Sequence, residues 1–258
     1  EEARQRGKIL GIGFANVCEP AAGRAFEHAE IRFDPSGSVT ILAGAMDHGQ
    51  GHGTTFKQVL SDRLGIDTEL IRYRYGDTDT VARGIGTFGS RTAVLCGGAI
   101  SVAADRIVNK GKRIAAHFLE AAEADIVFEK GSFIVAGTDR AMGITEVAKK
   151  AAVREALPAD IEPGLNEQAD YSTSTAWPNG THICEIEIDE QTGQVELIRY
   201  IAVDDVGTMI NPLLVEGQIF GGIAQGAGQA LVEDLIYDQD SGQLVTGSFT
   251  DYCMPRAD

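Results

Sequence analysis

The stretch EHAEIRFDPSGSVTILAGAMDHGQGHGTTFKQVLSDRLG, residues 27–65, changes its periodicity half-way along. The first part alternates apolar and polar residues around Asp34-Pro35-Ser36-Gly37-Ser38. That pattern predicts strands over 26–33 and 38–43 joined as a hairpin. The last part places Phe56, Val59, Leu60 and Leu64 on one stripe, which predicts a helix over 54–64. Between them lies a glycine-rich loop. Hairpins recur along the chain among alternating strands and helices, so a clean parallel, doubly wound sheet is not expected. The expected class is α+β, with mixed sheets and hairpins packed by several helices.

Working outward, 8–17 and 68–76 read as strands, and a loop at 82–91 leads into a long helix from Thr92, its predicted N-cap, to about Ala122. Residues 124–137 read as a hairpin turning at Lys130-Gly131, and 143–156 as a helix begun by Thr145. LPADIEPG, 157–164, is a Pro/Gly linker that predicts two approximate halves, 7–156 and 165–258. Strands follow near 166–174, 180–189 and 193–204, the last two joined by DEQTGQ. Asn211-Pro212 signals a helix running to about Leu231, and 235–245 a final hairpin.

The 258 residues carry 22 Lys+Arg against 38 Asp+Glu, a formal charge of −16. Such a surface repels nucleic-acid phosphates, so nucleic acid is not an expected partner. No apolar run reaches the ~18 residues that would suggest a membrane span. Cys18, Cys96, Cys184 and Cys253 are too scattered for zinc-ribbon or ferredoxin-type ligation, and free thiols suit a cytoplasmic protein. The start EEARQRGKIL, without Met, and the end CMPRAD suggest an excised fragment.

Three glycine-rich segments stand in or beside helical patterns. Gly49-Gln50-Gly51-His52-Gly53 and Gly84-Ile85-Gly86-Thr87-Phe88-Gly89-Ser90-Arg91 each precede one, and Gly221-Gly222-Ile223-Ala224-Gln225-Gly226-Ala227-Gly228-Gln229 lies within a third. Glycine lets backbone amides approach a ligand, and helix N-termini favour anions. Gln, Ser, Thr and Arg add directional donors. Together they suit a phosphate-bearing, hydrogen-bond-rich ligand. The plain alternatives are turn geometry for the first two and close helix packing for the third. His48 and His52 have metal-ligand spacing, but glycines oppose a helix there and no Glu adjoins His48, so zinc is not expected. Asp77, Asp79 and the pair Asp204-Asp205 read as turn or cap residues. Ser90 has no neighbouring His, which leaves a Ser–His hydrolase little support.

GKILGIGFANVCEP (7–20), AGAMDHGQGHGTTFKQVLSDRLGI (43–66), GTFGSRTAVLCGGA (86–99) and VDDVGTMINPLLVEGQIFGGIAQGAGQAL (203–231) resemble the molybdenum-binding large subunit of the xanthine dehydrogenase, aldehyde oxidase and carbon monoxide dehydrogenase family. The resemblance covers about residues 7–258. It implies the second molybdopterin-binding domain of a molybdenum hydroxylase. The cofactor would be molybdopterin, in bacteria usually the cytosine dinucleotide, with the metal held by the pterin dithiolene and not by protein side chains. The implied reaction is oxidative hydroxylation with water of an aldehyde, an N-heterocycle or a related small molecule. Electrons would pass to iron–sulfur and FAD-binding subunits or domains.

On the matching positions, Gly49, Gln50 and Gly51 form a cofactor-contacting loop, and Gly89 and Ser90 run beside the molybdenum. Ser90, Arg91 and Thr92 would bond the dinucleotide, and Gln225 with Gly226 the pterin. The family's first cofactor-binding half, with a Gly-Phe-Gly-Gly loop, has no match here. Its catalytic glutamate is expected beyond Asp258, since Glu185, Glu216 and Glu233 lack the right context. No catalytic or metal-ligating residue is therefore assigned. A stand-alone phosphate or nucleotide binder and a non-catalytic scaffold are the competing readings.

Overall fold

The computed structural model describes residues 2–23 and 26–256. The chain forms two compact units, residues 1–18 with 178–258, and residues 19–177. A short helix α1 (Glu2–Gln5) and the strand β1 (Lys8–Cys18) open the first of these.

The 19–177 unit begins with the hairpin of β2 (Phe26–Phe33) and β3 (Val39–Ala43). Asp34 shapes its turn by accepting the Ser36 N–H at 2.8 Å. The chain then passes through helix α2 (His52–Leu64) and returns as β4 (Ile71–Tyr75), parallel to β3. One parallel pair inside an otherwise antiparallel sheet makes this the mixed α+β arrangement its hairpins predict. Helix α3 (Thr92–Phe118) packs against both α2 and the sheet, burying Leu95, Ala99, Ile100, Ala103 and Ile107. It ends short of Ala122 because the chain reverses at Glu120, whose φ is +46°. Arg91, not Thr92, is its cap residue, and no side chain caps it. The turn enters through left-handed Gly89 and Ser90, which brings Thr92 into the first helical position.

A small antiparallel sheet of β5 (Ile126–Glu129), β6 (Ser132–Val135) and β7 (Ala141–Gly143) covers the far end of α3. It turns at Lys130-Gly131 as its sequence predicts. Two glycines bring α3 close to its neighbours. A Cβ at Gly98 would overlap the Tyr171 ring, and one at Gly111 the Phe133 ring. The predicted 143–156 helix is shorter: α4 (Ile144–Ala151) is followed by a separate helical turn at Arg154–Ala156.

The Pro/Gly stretch 157–164 is not where the units divide. Its Leu157 and Ile161 are buried in the core, and the Arg154 guanidinium holds the Ala159 and Ile161 carbonyls. The strand that follows, β8 (Glu167–Ser172), pairs with β2 and completes the order β4-β3-β2-β8. Pairing and burial together keep 165–177 with the residues before the linker.

In the other unit, β9 (Asn179–Asp189) lies between β1 and β10 (Val195–Asp205), antiparallel to both. Asp189 closes the β9–β10 turn by accepting the N–H groups of Gln191 and Thr192. Helix α5 (Pro212–Leu231) starts as predicted, with Asn211 Oδ1 accepting the Leu214 N–H at 3.2 Å. The 235–245 hairpin pairs Tyr237 with Leu244.

Candidate functional site

At one end of the β4-β3-β2-β8 sheet, two glycine loops are pressed together. β3 runs directly into residues 44–51, and the 82–91 loop leads into α3. A Cβ at Gly44 would lie 2.6 Å from Gly84 Cα, so the two backbones touch where only glycine fits. The Met46 carbonyl joins them further, accepting from Thr87 Oγ1 at 2.8 Å and from His52 Nδ1 at 3.0 Å.

Each loop is organised by a carboxylate. Asp47 accepts the N–H groups of Gly49, Gly51 and Gly53 at 3.0, 3.2 and 2.8 Å. Burial works to raise the Asp47 pKa, but these three donors, with His52 nearby, outweigh it and hold the carboxyl below its usual range. Glu27, on β2, is wholly buried and accepts the N–H of Ile85 at 3.1 Å and of Gly86 at 3.2 Å. Arg91 is 2% exposed and donates to Glu27 Oε2 at 2.7 Å, to the Gly86 carbonyl and to the Phe26 carbonyl.

The predicted residues divide accordingly. Gly49–Gly51 and Gly89–Thr92 both belong to this unit, on the two loops that meet at Gly44–Gly84 and Met46–Thr87. The Gln50 side chain folds over its own loop, accepting from the His48 N–H and reaching Met46 O at 3.4 Å. Ser90 has φ +53° and an exposed Oγ bonded to Glu19 at 3.2 Å. Arg91 turns inward, so its guanidinium serves the loop and does not face outward as a donor to a dinucleotide would. Thr92 is also buried, its Oγ1 against Thr87 Oγ1. His52 is buried, stacks on Phe56 and has its pKa lowered by desolvation. Among the described residues no three His, Cys, Asp or Glu cluster to hold a metal ion.

The third glycine segment is not a loop. Residues 221–229 lie inside α5, where backbone amides are spent on helical hydrogen bonds. Gln225 is exposed on that helix. A cavity of about 620 Å³ between α5 and the β9–β10 face is lined by Ile186, Leu197, Gly222 and Ala227. At its wall His182 bonds Tyr200 OH at 2.9 Å and Asp204 at 3.1 Å. Of the pair read as turn residues, Asp205 does take the Gly207 N–H, whereas Asp204 faces His182. Asp77 and Asp79 form a turn as read, with Asp77 accepting the Asp79 N–H.

The open side of the loop pair is made of main chain. A Cβ at Gly49 or Gly89 would meet nothing within 4 Å. The Leu95 N–H takes Arg91 O, which leaves the amides of Thr92, Ala93 and Val94 ahead of the helical ladder. The switch from left-handed Ser90 to Arg91 (φ −100°, ψ −24°) is a geometry that turns successive N–H groups to one side. Neutral donors around open glycines suit an anionic, hydrogen-bonding ligand.

A family model described as the molybdopterin cofactor-binding domain matches residues 1–258. The chain belongs to that family. The domain is 37% identical over 252 residues to the carbon monoxide dehydrogenase large chain of Hydrogenophaga pseudoflava, covering 97% of this chain and 31% of that protein. It is 40% identical over 273 residues to the nicotine 6-hydroxylase large subunit of Paenarthrobacter nicotinovorans, covering 100% and 33%. Its structure matches quinoline 2-oxidoreductase from Pseudomonas putida 86 with a TM-score of 0.88 at 39% identity, covering 99% of the domain and 34% of that chain. The domain thus spans about a third of the length of these relatives. Among the described residues no helix is long and apolar enough to cross a membrane.

Sequence reasoning missed Glu27 and gave Asp47 no role. Glu27 had a signal: with Ala29 and Ile31 it falls on the buried face of β2, where a lone carboxylate needs a partner. Asp47 precedes a run of alternate glycines whose amides can fold back onto it.

Proposed function

We propose that this domain grips the phosphate-bearing part of a molybdopterin cofactor, in its cytosine dinucleotide form, within the large subunit of a molybdenum hydroxylase. The observation that carries the reading is the clamped pair of glycine loops: the second leads into the first amides of α3 beside Ser90, and the first, its glycine amides held by Asp47, sets open glycine backbone beside Gln50. The donors fit pyrophosphate and a pterin edge, and a cofactor that brings its own dithiolene needs no His or Cys cluster from the protein. When bound, the cofactor supplies the two-electron chemistry by which oxygen from water enters a substrate. The domain's own part is to orient it: Gly49–Gly51 and Gly89–Ser90 form the cradle, the first amides of α3 face the anionic charge, and Arg91 and Thr92 hold the second loop in shape. Gln225 and Gly226 on α5 are assigned to the pterin.

The substrate class is an aldehyde, an N-heterocycle or a related small molecule; the named relatives act on carbon monoxide, nicotine and quinoline. Iron–sulfur and FAD-binding subunits or domains are the proposed partners. The scattered cysteines, free in the structure, fit a reducing cytoplasm. The test is the molybdenum and phosphate content of the purified whole protein. Near-stoichiometric amounts are expected, falling when Gln50, Ser90 and Gln225 are replaced together by Leu, Ala and Leu. Full molybdenum occupancy in that triple variant would sink the reading. Tight nucleotide binding by the 258-residue chain alone, measured by calorimetry, would favour a stand-alone binding module instead.

A further inference from the structure

The 82–91 loop makes no regular strand or helix, yet its shape is tied down from the rear by one side chain. Glu27 Oε1 holds the Ile85 N–H and Oε2 holds the Gly86 N–H and Arg91 Nη1. Arg91 in turn holds the Gly86 and Phe26 carbonyls. The carboxylate therefore spans the loop from Ile85 to Arg91, the residue that caps α3. It also stands against the glycine contact: a Cβ at Gly84 would lie 2.9 Å from Glu27 Oε1. A charge taken wholly out of water is costly unless paired and bonded. Here one buried carboxylate and one buried guanidinium pair through the loop they shape, with Arg91 Nε the one buried side-chain donor left without a hydrogen-bond partner among the described residues.

We propose that Glu27 is a positioning residue for the cofactor, touching no ligand itself but setting the amide array of Gly86–Thr92 from behind. The inference rests on the functional reading above. An apolar residue at 27 would fill the same place under the sheet, but it would leave the Ile85 and Gly86 amides and the Arg91 cation without their acceptor. Burial alone thus does not account for a glutamate at this position, whereas loop geometry does.

The test uses the assembled enzyme that carries this domain and three variants. Glu27→Asp keeps the charge and shortens its reach. The double variant Glu27→Gln with Arg91→Gln removes both charges, which guards against failure to fold around an unpaired cation. Ile31→Val weakens the same strand on the same face without touching the loop. Two quantities are read: molybdenum per protein after gel filtration, and amide exchange of segment 82–91 relative to 99–107 in α3. For Glu27→Asp, exchange in 82–91 should rise about tenfold with α3 unchanged. Its affinity for the cofactor should fall about tenfold, as when the outer partners that orient a bound group are lost. Ile31→Val should keep its molybdenum. Full occupancy in Glu27→Asp, or equal loss in Ile31→Val at matched stability, would overturn the inference while leaving the functional reading intact. Wild-type enzyme without molybdenum would overturn both.

Discussion

Residues 19–177 enclose Phe56, Leu60, Ile100 and Ile107 out of contact with solvent. In the unit of 1–18 and 178–258, Gly228 and Thr246 are the buried residues among those described. Its β1 leaves Ile12 and Phe14 more than half exposed. The first unit can afford to hide a charge pair because a packed core surrounds it. The second is held by long antiparallel pairing and by local devices such as the Asn211 cap and the Asp189 turn. The difference shows where each kind of functional residue can stand. A residue that works by rigid placement, as Glu27 does, needs the packed unit.

The largest effect separating the two units should come from truncating one ring in each. Phe56→Ala is expected to cost about 3–5 kcal/mol, through lost burial and the cavity left behind. Phe14→Ala, at a position 67% exposed, should cost less than about 0.5 kcal/mol. Urea denaturation of both variants checks this, and equal losses would break the comparison. A subtler contrast uses the same substitution with opposite sign. Gly98→Ala should destabilise by about 1–3 kcal/mol, because its Cβ overlaps Tyr171 and overpacking outweighs the gain in helix propensity. Gly217→Ala on α5 meets nothing within 4 Å and should stabilise that helix by about 0.8–1 kcal/mol. Helix-resolved amide exchange distinguishes the two.

The smallest effect concerns acid. Asp47 has its pKa depressed in the folded state, so its contribution is fully present above the unfolded value of about 3.9. That contribution is lost as pH falls through the folded value. The stability gap between wild type and Asp47→Asn should therefore be constant near neutrality and close in acid. A gap that persisted well below the ordinary carboxylate range would show that its backbone bonds do not depend on the charge.

Much of this was legible along the chain. Alternation and the Asp34–Ser38 turn gave the β2–β3 hairpin, and the stripe of Phe56, Leu60 and Leu64 gave α2, because these depend on neighbours in sequence. Asn211-Pro212 marked the start of α5 for the same reason. The linker reading of 157–164 failed because Pro and Gly report local backbone bias, while the burial of Leu157 and Ile161 depends on distant residues. The glycines at 221–229, within a predicted helix, were grouped with the two ligand loops because composition does not separate glycines that face a ligand from those that merely let a helix pack closely. Arg91 was placed among outward donors because its nearest sequence neighbours, Ser90 and Thr92, share the same motif. Its partner Glu27 lies far away in sequence, on β2.

By itself, the sequence determined the α+β class, most of the elements and the family, because periodicity, turn residues and motif spacing are properties of adjacent positions. Only the tertiary structure decided which residues share a unit and which way each motif side chain points. Both follow from long-range pairing, of strand with strand and of α3 with β2, and the latter brings Glu27 to Arg91 across a gap of 64 positions. A buried charge is tolerated only where that pairing supplies its partner.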